Sequence, residues 1–327
     1  MGKVFLAGLG LLIVAPLSLV YGQGAARGGK PFEEGLPPVV IHPTVGAAIS
    51  AREARGHSGG GSASQNLNYH GGTGGVGVET APKIYLVLWG AQWTNNDPSG
   101  EAAILTAFFN GVGSSPWLNS VSQYCQGVPS GTVFCNGAGK AAGNPSGIFA
   151  GVWRDDAAAA PARPSQSQLA AEAVKAAVQF GNTSADKNAT VQYVIATATG
   201  NSAIGFGTQY CAWHSSTSSS YGSIAYTNLP YITDAGGSCG ANFNGLGPNA
   251  GITIVAGHEL AETITDQFPS TGWLDSAGAE NGDKCAWISS GQGATASFTL
   301  TTGTFPVQSL WSNSSNGGAG GCVLSFP

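Results

Sequence analysis

Six cysteines stand at positions 125, 135, 211, 239, 285 and 322, and an even count in an exported chain reads as a disulfide framework that limits the folds open to it. Export is read from the N-terminus. Lys3 is followed by an apolar run from Val4 to Val20 and then by Tyr21 and Gly22, the pattern of a signal peptide cleaved near Gly22. The run is interrupted by Gly8, Gly10 and Pro16, and no other stretch approaches the roughly 20 apolar residues needed to span a bilayer. The expected mature product is a soluble, extracellular or wall-associated monomer. Sequence leaves the pairing of the cysteines open. Sequential pairing, Cys125 with Cys135, Cys211 with Cys239 and Cys285 with Cys322, gives short local loops and is the adopted expectation. None of the cysteines has the CxxC spacing of a zinc knuckle or a redox site.

Composition excludes some partners. Only 9% of residues are charged and the formal net charge is -5, so the clustered Lys and Arg that bind phosphate are missing and nucleic acid is not an expected partner. Hydrophobic residues at 42% still suffice for a core, while 51 glycines point to many tight turns. Residues 23–67 are rich in Gly, Pro, Ala and Ser, with Gly59, Gly60 and Gly61 in succession. Such a stretch buries too little apolar area to offset its ordering entropy, and it reads as a flexible leader or propeptide ahead of a single domain over residues 68–327.

Within that domain, Lys83 to Trp89 (KIYLVLW) is a continuous apolar run that suits a strand covered on both faces. Glu101 to Asn110 reads as a helix with Asp97 or Ser99 as its cap. A second helix is expected from Ser165 to Phe180, where Leu169, Ala173, Ala176 and Ala177 recur at helical spacing. Val191 to Ala196 and Gly222 to Tyr226 read as strands, Gly251 to Thr265 as a helix, and Ala294 to Pro327 as irregular β structure tied down by Cys322. Strands alternating with helices imply an α/β fold: one layered domain with a mixed sheet flanked by helices and stabilised by disulfides.

The chemistry is concentrated between Glu259 and Asp283, where six of the 17 acidic residues fall in 25 positions. Carboxylates gathered in so weakly charged a chain call for a cation or a substrate. The first part is His258-Glu259-Leu260-Ala261-Glu262, an HExxE motif. On a helix, positions i and i+4 share one face, so His258 and Glu262 can ligate one metal ion while Glu259 stands beside it as general base. The arrangement parallels the HExxH of zinc peptidases with a carboxylate for the second imidazole. A bare HExxE is a weak pattern, because exposed helices often carry His and Glu four apart. Here it follows an apolar run and precedes Asp266, Asp275, Glu280 and Asp283. Glu280 and Asp283, just before Cys285, are candidate metal ligands, with Gly278 and Gly282 allowing the loop to return to the helix. His214 is a candidate to supply an imidazole ligand or a transition-state donor. No GxSxG elbow and no phosphate-binding glycine motif is present.

These residues also carry a resemblance. Asn68-Tyr69-His70-Gly71-Gly72, the strand KIYLVLWG, CAWHSS around His214, GHELAETITD, GWLD and GAENGDKC are similar to the phosphate-induced protein 1 (EXORDIUM-like) family of plant, bacterial and fungal secreted proteins. The similarity runs over residues 68–325. It implies an extracellular or wall-associated protein with no firmly assigned reaction, and places His258, Glu259, Glu262, Trp273, Glu280, Asp283 and Cys285 on the family pattern. The chain departs from it at Asp266, where plant members tend to have Asn, which argues against an obligate ligand there. It departs again at Gln267, where Pro is usual.

Three functions are compatible with this reading. The first is a zinc-dependent peptidase, or a related amide or ester hydrolase, acting on protein or peptide with Glu259 as base. The second is a noncatalytic binding protein for cell-wall carbohydrate or a protein partner, holding a structural cation such as calcium and presenting Trp93, Trp213 and Trp273. The third is a glycoside hydrolase with paired carboxylates.

Overall fold

The structure, a computed structural model, describes residues 32–57 and 66–327; the expected signal peptide and the Gly59–Gly61 run lie outside them. Six strands form one mixed sheet: β1 (Val40–Pro43), β2 (Lys83–Trp89), β3 (Phe149–Asp155), β4 (Val191–Thr197), β5 (Tyr210–Ser219) and β6 (Gly222–Leu229). Their spatial order is β1-β5-β6-β4-β2-β3. Strands β6, β4, β2 and β3 run parallel, whereas β5 pairs antiparallel with both β6 and β1. The principal helices are α1 (Val45–His57), α2 (Glu101–Val112), α3 (Gln166–Gln179) and α4 (Ala250–Thr265).

The apolar run of β2 is sandwiched because parallel strands leave both faces to be covered by helices. Ile84, Leu86 and Leu88 face a core shared with Leu105 and Phe108 of α2 and Ile252 and Val255 of α4. Val87 faces the opposite core, against Leu169, Ala173, Ala176 and Ala177 of α3. The result is three layers, with α3 on one side of the sheet and α2 and α4 on the other. Helix α3 begins at a capping box in which the Ser165 hydroxyl accepts from the Gln168 N–H and the Gln168 side chain accepts from the Ser165 N–H. Helix α2 has Gly100 at its cap position, and the Asp97 carboxylate reaches past it to accept from the N–H groups of Glu101 and Ala102 at 2.7 and 3.2 Å. Ser99 instead pairs its hydroxyl with Thr233.

Helix α4 is rich in Ile, Val and Thr, poor intrinsic helix formers, yet all sixteen of its residues are buried. Such a helix is held by packing on every side. Its approach is close at Gly251, where a Cβ would lie 1.8 Å from the Cys239 carbonyl oxygen. The bridge Cys211–Cys239 joins β5 to that same segment, and Cys125–Cys135 and Cys285–Cys322 complete the sequential pairing. The tail is more regular than its composition suggests. Strands β7 (Ala296–Leu300) and β8 (Gly303–Val307) form a hairpin, with β8 packed on α4, and β9 (Leu310–Ser312) pairs with β10 (Gly321–Val323).

Two expectations are corrected here. Residues 39–57, read as part of a flexible leader, supply β1 and α1. The run Val39-Val40-Ile41 completes the edge of β5 and its Ile41 packs into the α3-side core, offsetting the ordering entropy that Gly and Pro impose elsewhere. The Arg52 guanidinium then donates to the carbonyls of Ala286 and Trp287, and Trp287 donates to the Pro43 carbonyl at 2.7 Å. Trp93, Trp213 and Trp273, read as exposed recognition aromatics, are all buried. Trp93 and Trp273 donate to the carbonyls of Ala196 and Cys125, while Trp213 packs edge-on against Tyr226. No helix among the described residues is long and apolar enough to cross a membrane.

Two outcomes follow from this packing. Replacing Cys285 and Cys322 together by Ala should cost about 2–4 kcal/mol in denaturant unfolding, since the bridge ties the end of the acidic segment to the C-terminal strands. A double variant as stable as wild type would mean that the segment is anchored by its hydrogen bonds alone. Glu79, fully buried beside Gln192, has its carboxyl pushed up to about 8 by burial, with the Gln192 hydrogen bond opposing the shift. A carboxyl whose folded pKa lies above its unfolded value contributes stability that is lost as pH rises from the unfolded value through the folded one. Wild-type stability should therefore decline between about pH 5 and 8, and Glu79→Gln should flatten that decline in unfolding curves measured across the range.

Candidate functional site

The HExxE motif lies on α4, and helical geometry sets His258 above Glu262 as the spacing predicts. The Nε2 of His258 is 3.0 Å from Oε1 of Glu262. Strand β5 faces this helix across the core, and period-two alternation directs His214 toward it while Trp213 points to the α3 side. The Nε2 of His214 lies 3.7 Å from Oε2 of Glu262 and 3.4 Å from Oε1 of Glu280. Asp283 approaches from the other side, with Oδ1 3.8 Å from the Nε2 of His258.

The acidic segment reaches the helix through glycine. Gly278 takes a φ of +81° in the turn that Asp275 caps. Gly282 has an ordinary φ, and its lack of a side chain serves space instead. A Cβ there would stand 2.7 Å from Nδ1 of His258 and 2.9 Å from Oε1 of Glu262. The Asp283 N–H donates to Glu262 Oε1 at 2.8 Å, and Asn281 donates to the Ala261 carbonyl and the Thr265 hydroxyl. The loop is thus tied to α4 residue by residue.

Two residues of the site escaped the sequence reading. His42 of β1 sets its ring edge-on against His258, with centroids 4.0 Å apart. Gln308, after β8, places its Oε1 3.2 Å from both His42 Nε2 and His258 Nδ1. The Gln308 amide nitrogen donates to the Gly282 and Ser309 carbonyls, which orients the amide and makes Oε1 the acceptor for both rings. His258 accordingly carries its proton on Nδ1 and turns an Nε2 lone pair toward the carboxylate. The five histidines were a usable signal for His42, since so few occur in the chain; nothing local marks Gln308.

Asp266 and Asp275 stand apart from this group by role. Asp266 accepts from the N–H groups of Ser270, Thr271 and Gly272 and so caps the turn after α4. Gln267, where the resemblance expects Pro, donates from its side chain to the Asn188 carbonyl. Asp275 pairs with Lys284 at 2.7 Å.

Burial decides the electrostatics. It pushes the Glu259, Glu262 and Glu280 carboxyls well up, and neighbouring carboxylates add to the effect at each of them. It pulls His214 and His258 down to about 3, with the His258 charge a further cause at His214. Both oxygens of Glu259 and Glu280, Oε2 of Glu262, both ring nitrogens of His214 and Nε2 of His258 are enclosed without a hydrogen-bond donor or acceptor. The Asp283 side chain, 13% exposed, reaches solvent. Ligand atoms of His214, Glu262 and Glu280 lie within 4.8 Å of one another, as do those of His258, Glu262 and Asp283. All six residues singled out from sequence therefore converge on one enclosed region.

No family model, no curated protein and no solved structure matches the chain. The geometry stands on its own.

Gln308 supplies the test of this arrangement. Gln308→Leu keeps the volume but strands the two ring N–H groups and the Gly282 carbonyl, so stability should fall by about 1–3 kcal/mol. Urea unfolding measures this, and a loss too small to resolve would mean that Gln308 does not hold the His258 ring.

Proposed function

We propose that this chain is a secreted metal-dependent hydrolase of the zinc peptidase type, with His258, Glu262 and Asp283 as metal ligands and Glu259 as general base. One observation carries the reading: His258 Nε2 and Glu262 Oε1 face each other at 3.0 Å while Gln308 Oε1 accepts from the His258 Nδ1–H. Two acceptors at that separation repel unless a cation or a proton lies between them. An imidazole whose second nitrogen donates to a fixed amide is the usual arrangement of a metal-bound histidine. Histidine nitrogen with carboxylate oxygen is a donor set suited to zinc.

A bound zinc ion would polarise a substrate carbonyl and acidify a coordinated water. Glu259, one position along the helix, would take that water's proton, with the bound cation offsetting the burial that holds its carboxyl up. The solvent-reaching side of Asp283 offers the approach for water and substrate. Protein or peptide is the proposed substrate class. Three disulfides are compatible with secretion, and the resemblance to the phosphate-induced protein 1 family belongs to the same proposal.

A second reading is favoured by one feature, the enclosure of Glu259. A cation sealed among carboxylates, such as calcium, would serve stability alone, and the protein would then be an extracellular binding module. The glycosidase reading gains nothing from the buried tryptophans.

The two readings separate on variants. Glu259→Gln should keep metal content near wild type while hydrolysis of a generic protein substrate falls by roughly 100-fold or more. His258→Ala should lose metal and activity together, with some stability. If Glu259→Gln leaves turnover intact, or if activity survives complete removal of metal, the peptidase reading is wrong.

A further inference from the structure

Glu262 offers its two oxygens to two different groups. Oε1 faces His258, with Asp283 beyond it, and Oε2 faces His214, with Glu280 beside it. The atoms able to ligate divide accordingly into two triads that share only this carboxylate. Bonds of about 2.0–2.2 Å at tetrahedral angles separate neighbouring ligand atoms by about 3.3–3.6 Å. The inner triad shows 3.4 and 3.7 Å, and the outer triad 3.0 and 3.8 Å.

We infer that the site is a two-metal centre, with Glu262 as the bridging carboxylate between an inner ion on His214 and Glu280 and an outer ion on His258 and Asp283. The inference rests on the metal-dependent reading above and extends it from one ion to two. Independent support comes from the inner triad's own atoms. Both Glu280 oxygens, Glu262 Oε2 and His214 Nε2 are enclosed without a hydrogen-bond partner, an arrangement that destabilises the fold unless a ligand satisfies them. An ion on His258, Glu262 Oε1 and Asp283 alone would leave every one of those inner atoms unsatisfied. Carboxylate-bridged ions stand about 3.5–4 Å apart in two-metal hydrolases, where the pair clamps the attacking and leaving oxygens.

The two positions differ in access. His214, Glu262 and Glu280 have fully buried side chains, whereas Asp283 is 13% exposed. The outer ion exchanges with solvent, and the inner ion leaves only when the surrounding structure opens.

The test is a metal count on the full-length purified protein loaded with zinc and desalted. Two zinc ions per chain are expected, with one removed by a short chelator exposure and the other at least roughly tenfold more slowly. Asp283→Asn should retain only the slow ion, His214→Gln only the fast one, and Glu262→Gln neither. One zinc per chain in wild type overturns the two-metal centre and leaves the hydrolase reading standing. No zinc overturns both. Two ions that leave in a single phase overturn the division into inner and outer positions. The wild-type count decides the matter even if His214→Gln fails to fold, and Asp283→Asn, changed at the surface edge, provides the second measurement.

Discussion

Helix α4 carries His258, Glu259 and Glu262 into a fully buried interior. Among the described residues, the ion-pair partners of Glu262 and Glu280 are histidines, and burial keeps those histidines neutral by drawing their pKa values to about 3. Ionised carboxylates in such surroundings are costly unless compensated. Either protons or cations must supply the compensation, and the enclosed, unpartnered nitrogens and oxygens around Glu262 are what a cation would use. The rest of the architecture is arranged around this charge problem.

The sheet brings His214 and His42 to one face through neighbouring strands, because β1 pairs with β5 so that Val40 sits opposite His214 and His42 opposite Ala212. Gln308 links the helix, β1 and the acidic loop through one amide, accepting from two rings and donating to the Gly282 carbonyl. Gly282 brings the loop close to His258 and Glu262, and the bridge Cys285–Cys322 ties the loop to the C-terminal strands. Each element thereby restrains a different side of the same group. That redundancy suits a site whose own charges work against its assembly.

The N-terminal segment has a part that its composition hides. Its strand closes the sheet beside the site, and its His42 ring covers His258. Arg52 of α1 fastens the segment to the Ala286 and Trp287 carbonyls, just beyond the acidic loop.

Local periodicity was enough to place β2, α2, α3, β4 and α4 from the sequence, since apolar spacing and capping residues act over a few positions and do not depend on the rest of the chain. It also made His258 and Glu262 neighbours, because four residues are one helical turn. The gathering of acids from Glu259 to Asp283 was visible as composition. Sequence had no means of joining His214 to Glu280, of setting Gln308 between two histidines, or of turning residues 39–57 into a strand and a helix, because each depends on contacts between segments far apart in the chain. The tryptophans show the same divide, since identical residues suit a binding surface or a core and only the packed layers decide which. Short-range stereochemistry therefore determined the elements and the motif. The tertiary structure decided which side chains share the buried space around Glu262, through a sheet register and a close approach at Gly282 that no local pattern encodes.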